Sequence, residues 1–279
     1  MTSCLLVKGP RRLVAVADGR LSYGSDSSFE TTQKIRRFLP TYRIPKVSMT
    51  WFSHYTDFTG DECYVAYAGT YALVSEVLEA FRERISGSLT LVWRDGRPTF
   101  SEYFDESTQF IDDYEFSALD LPGIEPKLIL DEFRAAAQEK IDEFCRLRRM
   151  PADCEFLLFG RGPDRRYFAY KITPDQLWSL NQPVRLNAEP ITDGTLAAIG
   201  SPEVSGAAFD DRELLQGLRD WNLDETDIAF SDQVPSGWDG DSVAQRFAQL
   251  IRAAFDNTVG GGLTVAKGIW HGPIAISSM

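Results

Sequence analysis

The chain opens on two short apolar runs, Ser3 to Lys8 and Leu13 to Ala17, separated by Gly9-Pro10-Arg11-Arg12. Both are apolar without clean alternation, which is the pattern of buried strands. The intervening Gly-Pro turn makes the pair an antiparallel hairpin. Asp18-Gly19 closes the second run, so a carboxylate stands where a buried strand meets a turn. A hairpin this apolar commits the rest of the chain to building a scaffold around it.

Further on, Lys34 to Leu39 reads as a third strand, entered from a loop at Lys34. Residues 40 to 62 carry Pro40, Pro45 and Gly60 without a clear period and read as an inserted loop holding at most a short hairpin. Cys63 to Ala68 is a strand ended by Gly69. An amphipathic helix follows from Thr70 to Ile85, with Leu73, Val74, Val77, Leu78 and Phe81 at helical spacing. Leu89 to Trp93 and Thr99 to Phe104 form a hairpin about Asp95-Gly96. The longest helix runs from Leu128 to Arg148, and Cys154 to Gly160 with Tyr167 to Ile172 makes another hairpin. Thr195 to Ile199 is a strand, Asp211 to Trp221 and Ser242 to Phe255 are helices, and Leu263 to Trp270 is a final strand. Strands gathered in hairpins and helices in separate blocks predict an α+β chain with two antiparallel sheets between helical layers, not an alternating parallel sheet.

The 279 residues suit one large domain or two modest ones. A net charge of −12 argues against nucleic acid and anionic membranes as partners, since both select basic surfaces. No apolar run approaches the length of a membrane span, and the first residues lack the pattern of an export signal. Cys4, Cys63, Cys145 and Cys154 are scattered and read as reduced thiols, which points to a cytoplasmic protein. The two histidines, His54 and His271, are far apart in sequence, so the chain offers no His-rich metal site and little basis for a His-centred triad. Asp105, Asp112 and Asp113 match no calcium-loop spacing. Gly260-Gly261-Gly262 lacks the Lys-Ser/Thr of a phosphate-binding loop. Neither a cofactor nor a metal is expected.

Thr2 supplies a different chemistry. Removal of Met1 would leave Thr2 with a free α-amine beside its own hydroxyl. Such an amine titrates near pH 7.7 to 8.0 in model compounds, so near neutrality it can serve as general base for that hydroxyl. A buried ammonium from Lys34 would stabilise the alkoxide and depress the amine, and a carboxylate from Asp18 would offset the burial of that ammonium.

Taken together, Thr2, Val16-Ala17-Asp18-Gly19-Arg20 and Lys34-Ile35-Arg36-Arg37-Phe38 resemble the proteasome β-type family of N-terminal nucleophile hydrolases, most closely the bacterial two-ring subunit HslV. Ala66-Tyr67-Ala68-Gly69-Thr70 before a helix resembles that family's strand-Ala-Gly-helix element. Ile199-Gly200-Ser201 resembles its Gly-Ser at the start of the third helix. Asp256-Asn257-Thr258-Val259-Gly260-Gly261 resembles a segment reading Asp-x-x-Ser-Gly-Gly, with Val259 where the Ser usually stands. The resemblance implies a four-layer αββα sandwich formed as a single domain over residues 1–279, with insertions near 40–62, 87–126, 162–192 and 218–240. It implies catalysis by Thr2, Asp18, Lys34, Gly69, Ser201 and Asp256, with the Gly69 N–H as oxyanion donor and Ser201 supporting the terminal amine. The function implied is that of a threonine-type peptidase subunit of a self-compartmentalising ring. Its partners would be a peptide or unfolded-protein substrate, further copies of the chain, and an ATPase unfoldase. A small-molecule amidohydrolase or acyl-transfer enzyme on the same scaffold, and a non-catalytic ring subunit, are the alternatives.

Overall fold

The computed structural model describes residues 3–23, 27–29, 33–48, 51–94, 97–101, 123–175, 183–216, 240–253, 262–269 and 272–278. Thr2, Asp256, Val259, Gly260, Gly261, Asp105, Asp112 and Asp113 lie outside them.

The opening hairpin forms as the sequence predicts. Strands β1 (Ser3–Lys8) and β2 (Arg12–Asp18) pair antiparallel, Cys4 opposite Ala17. Every residue of both strands is buried, which accounts for the missing alternation. The short strands β3 (Leu21–Tyr23) and β4 (Ser27–Phe29) pair with each other. Then come β5 (Ile35–Phe38), β6 (Thr41–Ser48), β7 (Trp51–Thr59) and β8 (Cys63–Gly69). Helix α1 (Tyr71–Ile85) leads into β9 (Ser86–Arg94) and β10 (Arg97–Ser101). Helix α2 (Pro126–Arg148) has Pro at its first position, where no backbone N–H is needed, and ends on Arg149 in the left-handed region. The remainder holds β11 (Cys154–Arg161), β12 (Tyr167–Pro174), β13 (Leu186–Pro190), β14 (Thr195–Gly200), α3 (Pro202–Asp210), α4 (Gly240–Ala253), β15 (Leu263–Ile269) and β16 (Ala275–Ser278).

Two five-stranded antiparallel sheets carry the fold. One has the order β14-β1-β2-β15-β16 and the other β13-β12-β11-β8-β5. Three apolar clusters follow from the pleat, which sends alternate residues to opposite faces. Leu6, Ala15 and Ala17 of the first sheet meet Tyr64, Ala66, Leu157 and Phe159 of the second. The opposite face of the first sheet, with Leu5, Val7, Val14 and Val16, packs on Val204, Val243 and Phe247 from α3 and α4. The opposite face of the second, with Val65, Tyr67, Phe156 and Leu158, packs on α1 and α2 through Val77, Phe81, Phe133 and Ile141. Within that last cluster Phe133 sits edge-on to Phe81 and Phe156, with ring centroids 5.1 and 5.2 Å away.

Residues 40–62 differ from the expectation of a loop. They form the long hairpin β6–β7, and β6 pairs in parallel with β9 to give a four-stranded sheet ordered β10-β9-β6-β7. Its inner residues, Tyr42, Ile44, Leu89 and Leu91, join the helical side of the second sheet's core. Pro45 hides the strand pattern from the sequence, although a Pro can stand in a sheet where its missing N–H interrupts no ladder. Phe52 and Tyr55 are exposed and lie side by side, their ring centroids 4.9 Å apart and their planes tilted by 55°.

Side chains also tie the two main sheets together. At one end Tyr167 Oη donates to the Gly272 carbonyl at 2.9 Å. Replacing Tyr167 by Phe should cost about 1 kcal/mol of stability, the net value of one such bond, read as a lowered midpoint in urea unfolding. No helix among the described residues is long and apolar enough to cross a membrane.

Candidate active site

At the other end of the sheets lie the groups singled out in the sequence. Asp18, the last residue of β2, is fully buried, and its Oδ1 accepts a hydrogen bond from the Ser3 backbone N–H at 3.2 Å. The first residue of β1 is thereby fastened to the last residue of β2. Lys34, just before β5, is also buried, at 1% exposure. Its ammonium stands 5.5 Å from the centroid of the Tyr67 ring, within reach of a cation–π attraction. Burial lowers the pKa of Lys34 from its usual value, and the negative charge of Asp18 acts in the opposite direction. The hairpin and the start of β5 thus bring the carboxylate and the ammonium into one buried environment.

Gly69 ends β8 with φ at +108°, a conformation that side chains with a Cβ rarely adopt. A Cβ there would fall 2.1 Å from the Asp153 carbonyl oxygen and 2.6 Å from Cys154 Cα. The same Asp153 carbonyl accepts from the Thr70 N–H at 2.8 Å, which fixes the step from β8 into α1. Ser201 is fully buried at the N-cap of α3, and Gly200 before it has φ at +95°. The Ser201 hydroxyl has no hydrogen-bond partner among the described residues, and neither does that of Ser3. Gly200 pairs with Ser3 in the β14–β1 register. Two orphaned hydroxyls therefore belong to residues joined by one step along the chain and one rung of the ladder. Buried hydroxyls are rarely left this way except at sites of function or of an absent partner.

Asp18, Lys34, Gly69 and Ser201 thus sit at the ends of β2, β5, β8 and β14, where the two main sheets face one another. Two residues of this region escaped the sequence reading. Cys4 donates its thiol to the Tyr67 carbonyl at 3.4 Å, a contact from the first sheet to the second. Burial, followed by the Asp18 charge, raises its thiol pKa well above the usual value, which disfavours the thiolate. Tyr67 has its own hydroxyl pushed up to about 12, mainly by burial, and donates to the Gln33 carbonyl at 3.3 Å. Its place two residues before Gly69 in the same strand was the available signal. A cleft of about 900 Å³ opens beside this region, bordered by Asp153, Glu155, Lys171, Arg185, Gly200 and Pro202. Among the described residues no cluster of His, Cys, Asp and Glu could hold a metal ion.

Two paired antiparallel sheets with helices on their outer faces are an arrangement this chain shares with solved structures. Solved structures that share this fold include those of Anbu. The Anbu protein of Hyphomicrobium sp. strain MC1 aligns over 99% of this chain and 86% of its own, at 15% identity and a TM-score of 0.52. A Gly-1 mutant of the same protein aligns over 100% and 87%, at 13% identity and 0.52. Anbu of Pseudomonas aeruginosa, solved as a helical assembly of the Anbu complex, aligns over 99% and 85%, at 16% identity and 0.51. No family model matches the sequence. No curated protein matches it either. At these identities the likeness establishes the fold alone.

The resemblance to the proteasome β-type N-terminal nucleophile hydrolases, and to HslV in particular, is corrected by these likenesses, which run to Anbu. The physical reason lies in the motifs themselves. An Asp closing a buried hairpin, a Lys one strand later and an Ala-Gly step into a helix are all strand-end features. Any chain with this topology brings such positions together, so they mark the fold before they mark a family.

Proposed function

We propose that the chain is a threonine-type peptidase subunit of a homo-oligomeric, proteasome-like assembly, with Thr2 as nucleophile once it becomes the first residue. The carrying observation is the hydrogen bond from the Ser3 N–H to Asp18 in the buried surroundings of Lys34. Ser3, whose N–H is held by Asp18, follows Thr2 directly in the sequence. In the reaction the freed Thr2 amine takes the proton of its own hydroxyl as Oγ attacks the substrate carbonyl carbon. The Gly69 N–H would hold the oxyanion. Collapse expels the peptide amine with that proton and leaves an ester on Thr2. Water, giving a proton to the Thr2 amine, hydrolyses the ester and restores the hydroxyl. Lys34 would place positive charge beside the developing alkoxide, with the Asp18 charge opposing the effect of burial on its ammonium. Ser201, with its unanswered hydroxyl, and Asp256 would position the amine.

The three apolar clusters support layers stacked as α, β, β, α within one domain over residues 1–279, with β6, β7, β9 and β10 as an added sheet. The helical assembly of the Pseudomonas aeruginosa Anbu complex supports self-association. Four free, buried thiols agree with a cytoplasmic setting.

Mass spectrometry of purified protein treated with a peptide epoxyketone or boronate tests the assignment. We expect the chain to start at Thr2 and the adduct to map to it. A chain retaining Met1, with no adduct formed, would overturn the assignment. An adduct on Thr2 in a protein that cleaves only small amides would move the substrate class to the amidohydrolase alternative.

A further inference from the structure

Among the described residues, strand β14 is the edge of the first sheet, bonded to β1 on one side alone. Its outward backbone groups need partners from elsewhere, and two charged side chains of the second sheet supply them. Glu155 Oε2 accepts from the Gly200 N–H at 2.6 Å, and Lys171 Nζ donates to the Ala198 carbonyl at 2.9 Å. Residues 198 and 200 are two apart, so their backbone groups point to the same side of the strand. Glu155 lies two residues from Leu157 on β11, and Lys171 is opposite Leu157 on β12. Leu157 packs between the sheets, so both charged residues share the face of the second sheet that meets the first. Each supplies the complementary half of what an open edge lacks: an acceptor for its N–H, a donor for its C=O.

The clamp falls where position matters. Gly200 carries the positive φ that turns β14 into α3, and the next residue is Ser201 with its buried, unanswered hydroxyl. A free edge could slide or fray at that turn by an ångström, and at a reacting centre such a displacement costs far more in rate than in stability.

We infer that Glu155 is a positioning residue: through the Gly200 N–H it fixes the turn that presents the Ser201 hydroxyl to the Thr2 amine, with Lys171 holding the strand two residues earlier. This rests on the proposed role of Thr2. Glu155 itself touches no reacting atom, so its loss should lower kcat and leave KM nearly unchanged.

The test compares Glu155→Ala with Glu155→Gln in the full-length protein. The Gln amide oxygen can still accept from Gly200, whereas Ala cannot. We expect Glu155→Ala to lose about tenfold or more in kcat on a fluorogenic peptide at unchanged KM, and Glu155→Gln to recover most of it. Equal kcat in Ala and wild type, or equal loss in Gln and Ala, overturns the inference. Amide hydrogen exchange at Gly200 gives a second readout that needs no catalysis. Protection should fall in Glu155→Ala and persist in Glu155→Gln, and unchanged protection in both variants also overturns it. An inactive wild type whose Gly200 protection still follows this pattern would instead refute the Thr2 peptidase reading while leaving the clamp in place.

Discussion

Replacing Gly69 by Ala should destabilise the protein by about 3–5 kcal/mol, among the largest effects of any single methyl group added to this chain. Two costs add. With φ at +108°, the backbone at Gly69 lies where a Cβ is strained by its own chain. The added Cβ also meets the Asp153 carbonyl oxygen at 2.1 Å and Cys154 Cα at 2.6 Å, both backbone atoms that no rotamer change can remove. Relief would require parting β8 from β11 at the rung where Gly69 faces Cys154. That motion also breaks the Thr70 N–H bond to Asp153 and tilts the start of α1. Urea unfolding of Gly69→Ala should show a midpoint lowered accordingly. Any Gly69→Ala protein that does fold should lose activity by two orders of magnitude or more, because the N–H proposed as oxyanion donor moves with the strand end. A variant matching wild type in both stability and rate would contradict the tight turn and the oxyanion role together.

The contrast between what the sequence discloses and what it hides follows from this geometry. The apolar runs Leu5 to Val7 and Leu13 to Ala17 are legible because burial on both faces leaves no room for polar residues. The stripe from Leu73 to Phe81 is legible because one face of α1 meets the core. Asp18, Lys34 and Gly69 stand out because each interrupts an apolar strand at its end, where a charge or a missing side chain requires a reason. The β6–β7 hairpin is hidden because much of its surface is exposed and its period is broken by Pro45 and a register shift after Lys46. Its parallel pairing with β9 is a contact between distant segments that no local pattern encodes. Glu155 is hidden for another reason. Its value lies in the edge of a different sheet, and in sequence it is one more carboxylate in an acidic chain.

Removing the Asp18 charge should have the largest effect on chemistry among residues other than the nucleophile. In the folded protein Lys34 is a base whose pKa is lowered by burial and held up by Asp18. Such a group costs stability in full below its folded pKa, and the cost is relieved as pH rises from that value to the unfolded one. Asp18→Asn deletes the opposing charge, so Lys34 should lose its proton at a lower pH than in wild type. Asn also keeps an oxygen to accept the Ser3 N–H, which separates charge from hydrogen bonding. We expect Asp18→Asn to cost about 3–5 kcal/mol near neutrality, since it strands a buried ammonium without its counterion. We expect catalysis to fall by two to three orders of magnitude. Adding Lys34→Met should return most of the stability, because the uncompensated charge is gone, and none of the activity. That split is the diagnostic result: if the pair served packing alone, rate would recover along with the melting midpoint. A double-mutant cycle showing no coupling between residues 18 and 34 would disprove the electrostatic coupling that the proposed mechanism requires.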